Sequence, residues 1–191
     1  ISAIDLGVNN LATVVSNKAK AFIINGKPLK SINQFYNKRK AILQSKLQNK
    51  KNTSKNIKKL TVKRNNKIKD YLHKGSRILV NQLVFENIDT LVIGKNNKQK
   101  QDTKMSKTTN QNFINIPTFR FANLVKYKAE LIGIKVIFQE ESYTSKASFF
   151  SNDTIPIYDK KENKKYTFSG YRETRGMYKI KNSNLRINAD I

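Results

Sequence analysis

Cysteine and tryptophan are absent from this chain, histidine occurs once, and only 13 of its 191 residues are acidic. Without thiols there is no disulfide and no thiolate-held zinc, so any metal must be held by oxygen ligands or by His73. No stretch approaches the roughly 18 consecutive apolar residues of a membrane-spanning helix. The first residues also lack the charged-then-apolar order of a secretory leader. These absences lead to the expectation of a soluble intracellular protein with no membrane partner.

Base is what the chain has in excess. Its 38 Lys and Arg leave a formal charge of +25. Such a charge opposes compaction until an anionic partner neutralises it, which makes nucleic acid the leading partner class. The length suits one domain with a sizeable core. A start at Ile1 and a stop just after "NAD" suggest a segment of a longer protein.

The first 25 residues read as three short strands, Ile1 to Ile4, Leu11 to Val15 and Ala21 to Ile24, joined by turns into an antiparallel meander. From Ser31 the period becomes helical, first through Phe35, Ile42, Leu43 and Leu47, then, after Asn52-Thr53-Ser54, through Ile57, Leu60, Ile68, Tyr71, Leu72, Leu79 and Leu83. The prediction is a helical hairpin over about 31–86. Between Lys38 and Arg77 it carries 15 Lys and Arg against one acid, Asp70. Thr90 to Ile93 is a buried strand, and Lys95 to Asn112 is a polar loop. A helix follows over about Ile116 to Ile132, with Asn115 as cap, Pro117 in its first turn and a stripe through Phe121, Leu124, Val125, Lys128, Leu131 and Ile132. Gly133 ends it, and Ile134 to Phe138 is another core strand. The order is α/β, with the later strands parallel to the first. From Ser145 to Leu185 the chain is basic and Tyr-rich, with no readable period.

Three groups of acids stand at the ends or edges of elements: Asp5 after the first strand, Glu140-Glu141 after another, and Asp190 at the end of "LRINAD". Ligand sites in open α/β sheets gather at such strand ends. Beside a polyphosphate, converging carboxylates suit magnesium, a hard cation that takes oxygen ligands. The plainer reading stays open: Asp5 before Leu6-Gly7 as a turn residue, and the two glutamates as partners for nearby lysines.

Several motifs in order resemble one family. "IDLGVNNLAT", "YKAELIGIKVI", "YTSKAS" and "INAD" are similar to blocks of the RuvC-like nucleases of TnpB/OrfB insertion-sequence proteins, relatives of the type V CRISPR effectors. The resemblance implies an α/β, RNase H-like (RuvC-like) mixed sheet with an inserted basic helical hairpin, spanning 1–191. It implies a Mg2+ (or Mn2+) dependent, RNA-guided DNA endonuclease acting by two-metal hydrolysis. Guide RNA and target DNA would be its partners, and it would be cytoplasmic, on the bacterial nucleoid when engaged. In that family Asp5 and Asp190 are the first and last catalytic carboxylates. The middle Glu usually follows a strand like "TLVI", as in "LVIED", but here Gly94 stands in "TLVIGKN". Some relatives supply the acid just before "TSK", so Glu141 is the expected catalytic and metal ligand, with Glu140 as the alternative because neighbouring strand residues face opposite ways.

The family's two Cys pairs are also missing. No zinc is expected, and a metal-free hairpin packed through Phe168, Tyr171 and Tyr178 is expected to replace the zinc ribbon over about 146–184. Phosphate contacts are assigned to Lys38, Arg39, Lys50, Lys51, Lys58, Lys59, Lys63 and Arg64 of the hairpin, and to Arg172 and Arg175 near the scissile strand. His73 is expected to be exposed on that cationic surface, and Tyr143, Tyr166 and Tyr171 either stack on bases or pack internally. Three other functions compete: a guided DNA binder that has lost cleavage, a basic RNA-binding protein without catalysis, and a sugar-kinase or actin-like ATPase. The last also opens on "DLG", but seven glycines leave it no convincing second phosphate loop.

Overall fold

The computed structural model describes residues 1–18, 21–47, 52–95, 116–156, 166–174, 176–181, 183 and 185–188. The expected polar loop after Lys95, the Asn115 cap, and Lys50, Lys51, Arg175 and Asp190 lie outside them.

Strands β1 (Ser2–Asp5), β2 (Asn10–Ser16) and β3 (Phe22–Asn25) form the antiparallel meander that the sequence predicts. Gly7 makes the first turn possible, because a Cβ there would stand 2.7 Å from the carbonyl oxygen of Asn10. Helices α1 (Lys27–Ser45) and α2 (Lys55–Phe85) follow, then β4 (Thr90–Lys95), helix α3 (Thr118–Glu130) and β5 (Lys135–Glu140). The five strands form one mixed sheet in the order β3-β2-β1-β4-β5, with β4 and β5 parallel to β1 as expected. A second, antiparallel sheet of β6 (Gly170–Thr174), β7 (Met177–Ile180) and β8 (Arg186–Asn188) occupies the region without a readable period.

The core lies between the large sheet and helices α2 and α3. Ile4, Val14, Leu91 and Ile93 meet Leu72, Leu79, Val80 and Leu83 of α2 and Phe121 and Val125 of α3. Each such side chain contributes about 1.5–3 kcal/mol on burial. Ser54 caps α2 by accepting from the Ile57 amide at 3.3 Å, which explains the break in period at 52–54. The 31 residues of α2 extend about 46 Å. Only the part from Ile68 onward joins the core cluster. The preceding turns, rich in Lys, pair with α1 instead, since burying their ammonium groups would cost more than the packing returns.

α1 and α2 run antiparallel, clasped by the Tyr36 and Thr61 hydroxyls at 3.0 Å and by Arg64, whose Nε and Nη2 donate to Asn33 Oδ1 at 2.8 and 2.6 Å. Phe35 and Ile42, expected on the apolar stripe of α1, are instead exposed; Leu29 and Asn33 are its buried residues. On α3 the stripe ends early, for Leu131 and Ile132 lie past the last turn and are exposed, and Pro117 is the N-cap rather than a first-turn residue. Lys128 is buried there, as the stripe required, with Nζ donating to the His73 carbonyl and Ser76 Oγ at 2.7 Å each. Burial, and then the charge of Arg77, lower its pKa. Gly133 takes φ +83°, ending the α3 segment before β5.

One carboxylate ties the segment after β5 to the residue that precedes the small sheet. Asp153 Oδ2 accepts from the Ser148 and Ser169 amides at 2.8 and 2.9 Å, and Oδ1 accepts from the Ser169 hydroxyl. Those bonds, the Ser169 hydroxyl foremost, hold its carboxyl below the usual carboxylate range. The tie is therefore complete above the ordinary carboxylate range and is lost as pH falls through the lowered value. Asp153→Ala is expected to speed amide hydrogen exchange at Ser148 and Ser169 on the order of tenfold or more while leaving β1–β5 unchanged. Unchanged exchange at both amides would show that the tie is not needed. Tyr178 is buried and donates to the Lys146 carbonyl at 2.9 Å, and Phe168 packs by Tyr143 with centroids 6.1 Å apart. Tyr171, expected to pack with them, is exposed.

Candidate functional site

β1, β4 and β5 are parallel neighbours, so their C-terminal ends meet at one edge of the sheet, where open α/β sheets place ligands. In register, Ala3, Val92 and Ile137 form one row on the face turned away from the helices. Alternation then puts Asp5 and Gly94 next on that face, with Gln139 beside Gly94. The same parity directs Glu141 to that face and Glu140 to the other.

The side chains follow this rule. The Glu141 carboxylate lies over Gly94: a Cβ on that glycine would stand 2.8 Å from Glu141 Cγ and overlap the carboxylate outright. Glycine at 94 thus leaves the volume that Glu141 enters from the adjacent strand. Glu141 is half-buried, and its carboxyl is pushed up to about 7, first by burial, then by the charges of Asp5 and Glu140. Asp5 stays exposed at the end of β1. Glu140 accepts from the Ser142 hydroxyl. Thr144 secures the chain after Glu141, with Oγ1 donating to the Glu141 carbonyl at 3.0 Å. Its part was not singled out from the sequence, although a Thr three residues after a strand-end Glu is a recognisable turn signal.

Among the described residues no group of three or more His, Cys, Asp or Glu is close enough to hold a metal ion. Asp5 and Glu141 supply two hard-oxygen donors, a set that fits magnesium or manganese. Two like charges forced together are also what a divalent cation relieves.

The basic residues divide. Lys38 and Arg39 on α1, and Lys58, Lys59 and Lys63 on α2, are exposed on the helical pair. Arg64 is half-buried between the helices, its guanidinium bound to Asn33 and 5.6 Å from the Tyr36 ring. Arg172 is exposed on β6, with Nε 3.4 Å from the Ser145 carbonyl. His73 is exposed on α2, as expected. Tyr143 and Tyr166 pack edge to face, 5.2 Å between centroids. No helix among the described residues is long and apolar enough to cross a membrane.

Residues 2–101 match the family OrfB_IS605, described as a probable transposase. The chain belongs to this OrfB family. The OrfB chain is 26% identical over 151 residues to a TnpB-like protein of Methanocaldococcus jannaschii, an alignment that takes in 76% of this chain and 54% of that protein. It therefore spans about half the length of this relative. Among solved structures, a Cas12f1–sgRNA–target DNA complex matches with a TM-score of 0.70 at 19% identity, covering 100% of this chain and 47% of the other. A CRISPR-Cas12f ternary complex matches with a TM-score of 0.68 at 19% identity, covering 100% and 36%. At that identity the likeness is one of fold, and the mixed α/β arrangement of this OrfB chain is that shared fold.

Proposed function

We propose that this OrfB-family chain is the RuvC-like, RNase H-like nuclease portion of an RNA-guided, metal-dependent DNA endonuclease, with α1 and α2 as an inserted basic hairpin. The observation that carries the reading is the Glu141 carboxylate seated over Gly94 at the strand ends, where the charge of Asp5 helps to raise its pKa. Asp5 and Glu141 would hold magnesium or manganese, with Asp190 assigned as the third ligand. A metal held by these residues would supply activation of water and an offset for charge on the phosphodiester. Glu141, raised to about 7, would have to give up its proton to serve as a carboxylate ligand. Thr144 fixes the backbone from which Glu141 reaches inward. Lys38, Arg39, Lys58, Lys59 and Lys63 hold backbone phosphates and fix register without reading sequence. Guide RNA and target DNA are the partners this assigns, by analogy with the complexes in which Cas12f was solved. Gly94 alone would favour a binder without cleavage; the Glu141 carboxylate in its place favours the nuclease.

The full-length protein, loaded with its RNA, is expected to cut matched DNA with magnesium and to leave it intact in EDTA. Cutting in EDTA, or none in magnesium or manganese with DNA bound, refutes the nuclease reading.

A pH dependence follows from Glu141. Its folded pKa of about 7 lies above the ordinary 4.5, so between those values the folded state holds a proton that the unfolded state has released. For this group, stability without metal is fully present below pH 4.5 and falls as pH rises toward 7. Magnesium must displace that proton, so its affinity rises by up to about tenfold per pH unit below 7 and levels off above. The magnesium-induced increase in Tm is expected to be larger at pH 8 than at pH 6, and Glu141→Gln should remove the difference. Equal increases in the unmodified chain at both pH values would exclude Glu141 as a ligand.

A further inference from the structure

β5 ends at Glu140, and its ladder to β4 ends there too, so Glu141 is one residue beyond the last sheet pairing. Something other than the strand must therefore hold its carboxylate over Gly94. The Glu141 carbonyl accepts from the Thr144 amide at 3.4 Å as well as from the Thr144 hydroxyl, which closes a four-residue turn. Tyr143, third in that turn, takes φ +60°. The other two described non-glycine residues with positive φ are asparagines, which visit that region readily, whereas a bulky aromatic there is an outlier. Ser142 is not among them, so the turn has the type II pattern, whose third place glycine ordinarily fills.

What tyrosine adds over glycine is its ring. The ring packs edge to face on Tyr166 and against Phe168, in the segment that leads into β6. The residues that follow are gripped as well. The Tyr143 carbonyl accepts from the Lys146 and Ala147 amides at 2.9 and 3.0 Å, the Lys146 carbonyl accepts from the Tyr178 hydroxyl at 2.9 Å, and Arg172 Nε reaches the Ser145 carbonyl at 3.4 Å. Tyr178 belongs to β7 and Arg172 to β6. The chain just after Glu141 is thus held by the small sheet and the segment before it. A left-handed backbone persists at a bulky residue only where its surroundings impose it, and such residues gather at functional sites.

We propose that Tyr143 is a positioning residue: its ring, seated on Tyr166 and Phe168, locks the turn that carries the Glu141 carboxylate over Gly94. The small sheet thereby acts on the acid pair through one side chain, and Tyr143 itself touches neither metal nor substrate. This deepens the nuclease reading and rests on it only where cleavage is the readout. Displacing a reacting group by about 1 Å is enough to lower a rate about 100-fold, which sets the scale of the effect.

Tyr143→Gly keeps the backbone that the turn prefers and removes the ring. In the full-length protein loaded with its RNA it should lower single-turnover cleavage about 100-fold, with RNA bound as before. Tyr143→Phe keeps the ring and should cut within about threefold of the unmodified protein. Tyr166→Ala removes the ring's partner instead and should lower cleavage in the same direction as Tyr143→Gly. Moving the acid separates a misplaced carboxylate from a general defect: with Gly94→Glu and Glu141→Ala the carboxylate comes from β4, and adding Tyr143→Gly should then change cleavage by less than about threefold. A second readout needs neither metal nor cleavage. In this chain in EDTA, with isotope-labelled glutamate followed by NMR, the Glu141 carboxyl should titrate at about 7, and in Tyr143→Gly and Tyr166→Ala its midpoint should move toward the ordinary 4.5 as it leaves its cover. An unchanged midpoint in either variant overturns the proposal, and so does a loss of cleavage of the same size when the acid is on β4. If the protein with the moved acid cuts nothing, the midpoint decides. A midpoint that follows Tyr143 in a protein that never cuts refutes the nuclease reading alone. Cleavage that stops in EDTA, with a midpoint indifferent to Tyr143, refutes this proposal alone.

Discussion

Asp5→Ala is expected to lower guided DNA cleavage by the full-length protein on the order of 10⁴-fold, with guide RNA binding unchanged within about twofold. Loss of one member of a set that acts as a unit costs nearly as much as loss of the whole set. Asp5 leaves no substitute on its own strand or on β4: Gly94 has no side chain, and Glu140, of the opposite parity on β5, accepts from Ser142. The variant should also fold at least as well without metal as the unmodified chain, because it removes one of the two charges that raise the Glu141 pKa. Its Glu141 carboxyl should return toward the ordinary value, and the magnesium-induced increase in Tm should shrink or disappear. RNA affinity should hold because the exposed lysines of α1 and α2 are on other elements. Measuring single-turnover cleavage beside RNA binding separates these effects. Cleavage retained within tenfold would remove Asp5 from the site.

The second large effect is reciprocal. Gly94→Glu should abolish cleavage on its own, since its Cβ already overlaps the Glu141 carboxylate and a second acid would add a third negative charge to the site. Glu141→Ala should abolish it as well, since it removes the carboxylate that lies over Gly94. The double variant, Gly94→Glu with Glu141→Ala, empties the space and refills it from β4. Cleavage should recover to within about tenfold of the unmodified protein. Two lethal changes that restore each other would be a strong departure from additivity, as occurs for residues that share one volume. No recovery in a double variant that folds and binds RNA would mean that Glu141 acts from its own backbone position rather than as a carboxylate placed over residue 94. Residues 94 and 141 come from adjacent parallel strands, so the exchange tests the sheet register together with the chemistry.

Much of the large sheet was legible because its signals are local. Short β-branched runs, Gly7 between the first two strands, the Ser54 cap and the helical period of α2 each act within a few residues, and each element lies within a few residues of where those signals put it. Periodicity does not report which face of a helix will find a partner. For that reason α1 carries Phe35 and Ile42 in solvent and buries Asn33 against Arg64. The small sheet escaped because its strands are short, its pairings are non-local, and it is joined by Asp153 and serines rather than by metal-binding cysteines with a spacing that can be read.

The site divides along the same line. Composition alone determined the excess of base, the exclusion of thiolate chemistry, and the acids at or near strand ends, because these are properties of residues and their immediate neighbours. Which of Glu140 and Glu141 comes over Gly94 could be decided only by the tertiary structure. It required β1, β4 and β5 to pair in parallel, so that alternation puts Asp5, Gly94 and Glu141 on the face opposite the helical core. Which basic residues stay exposed, and that Phe149 and Phe150 stand in water, were decided there too. Exposure is set by what packs against a residue, and that is a relation between distant parts of the chain.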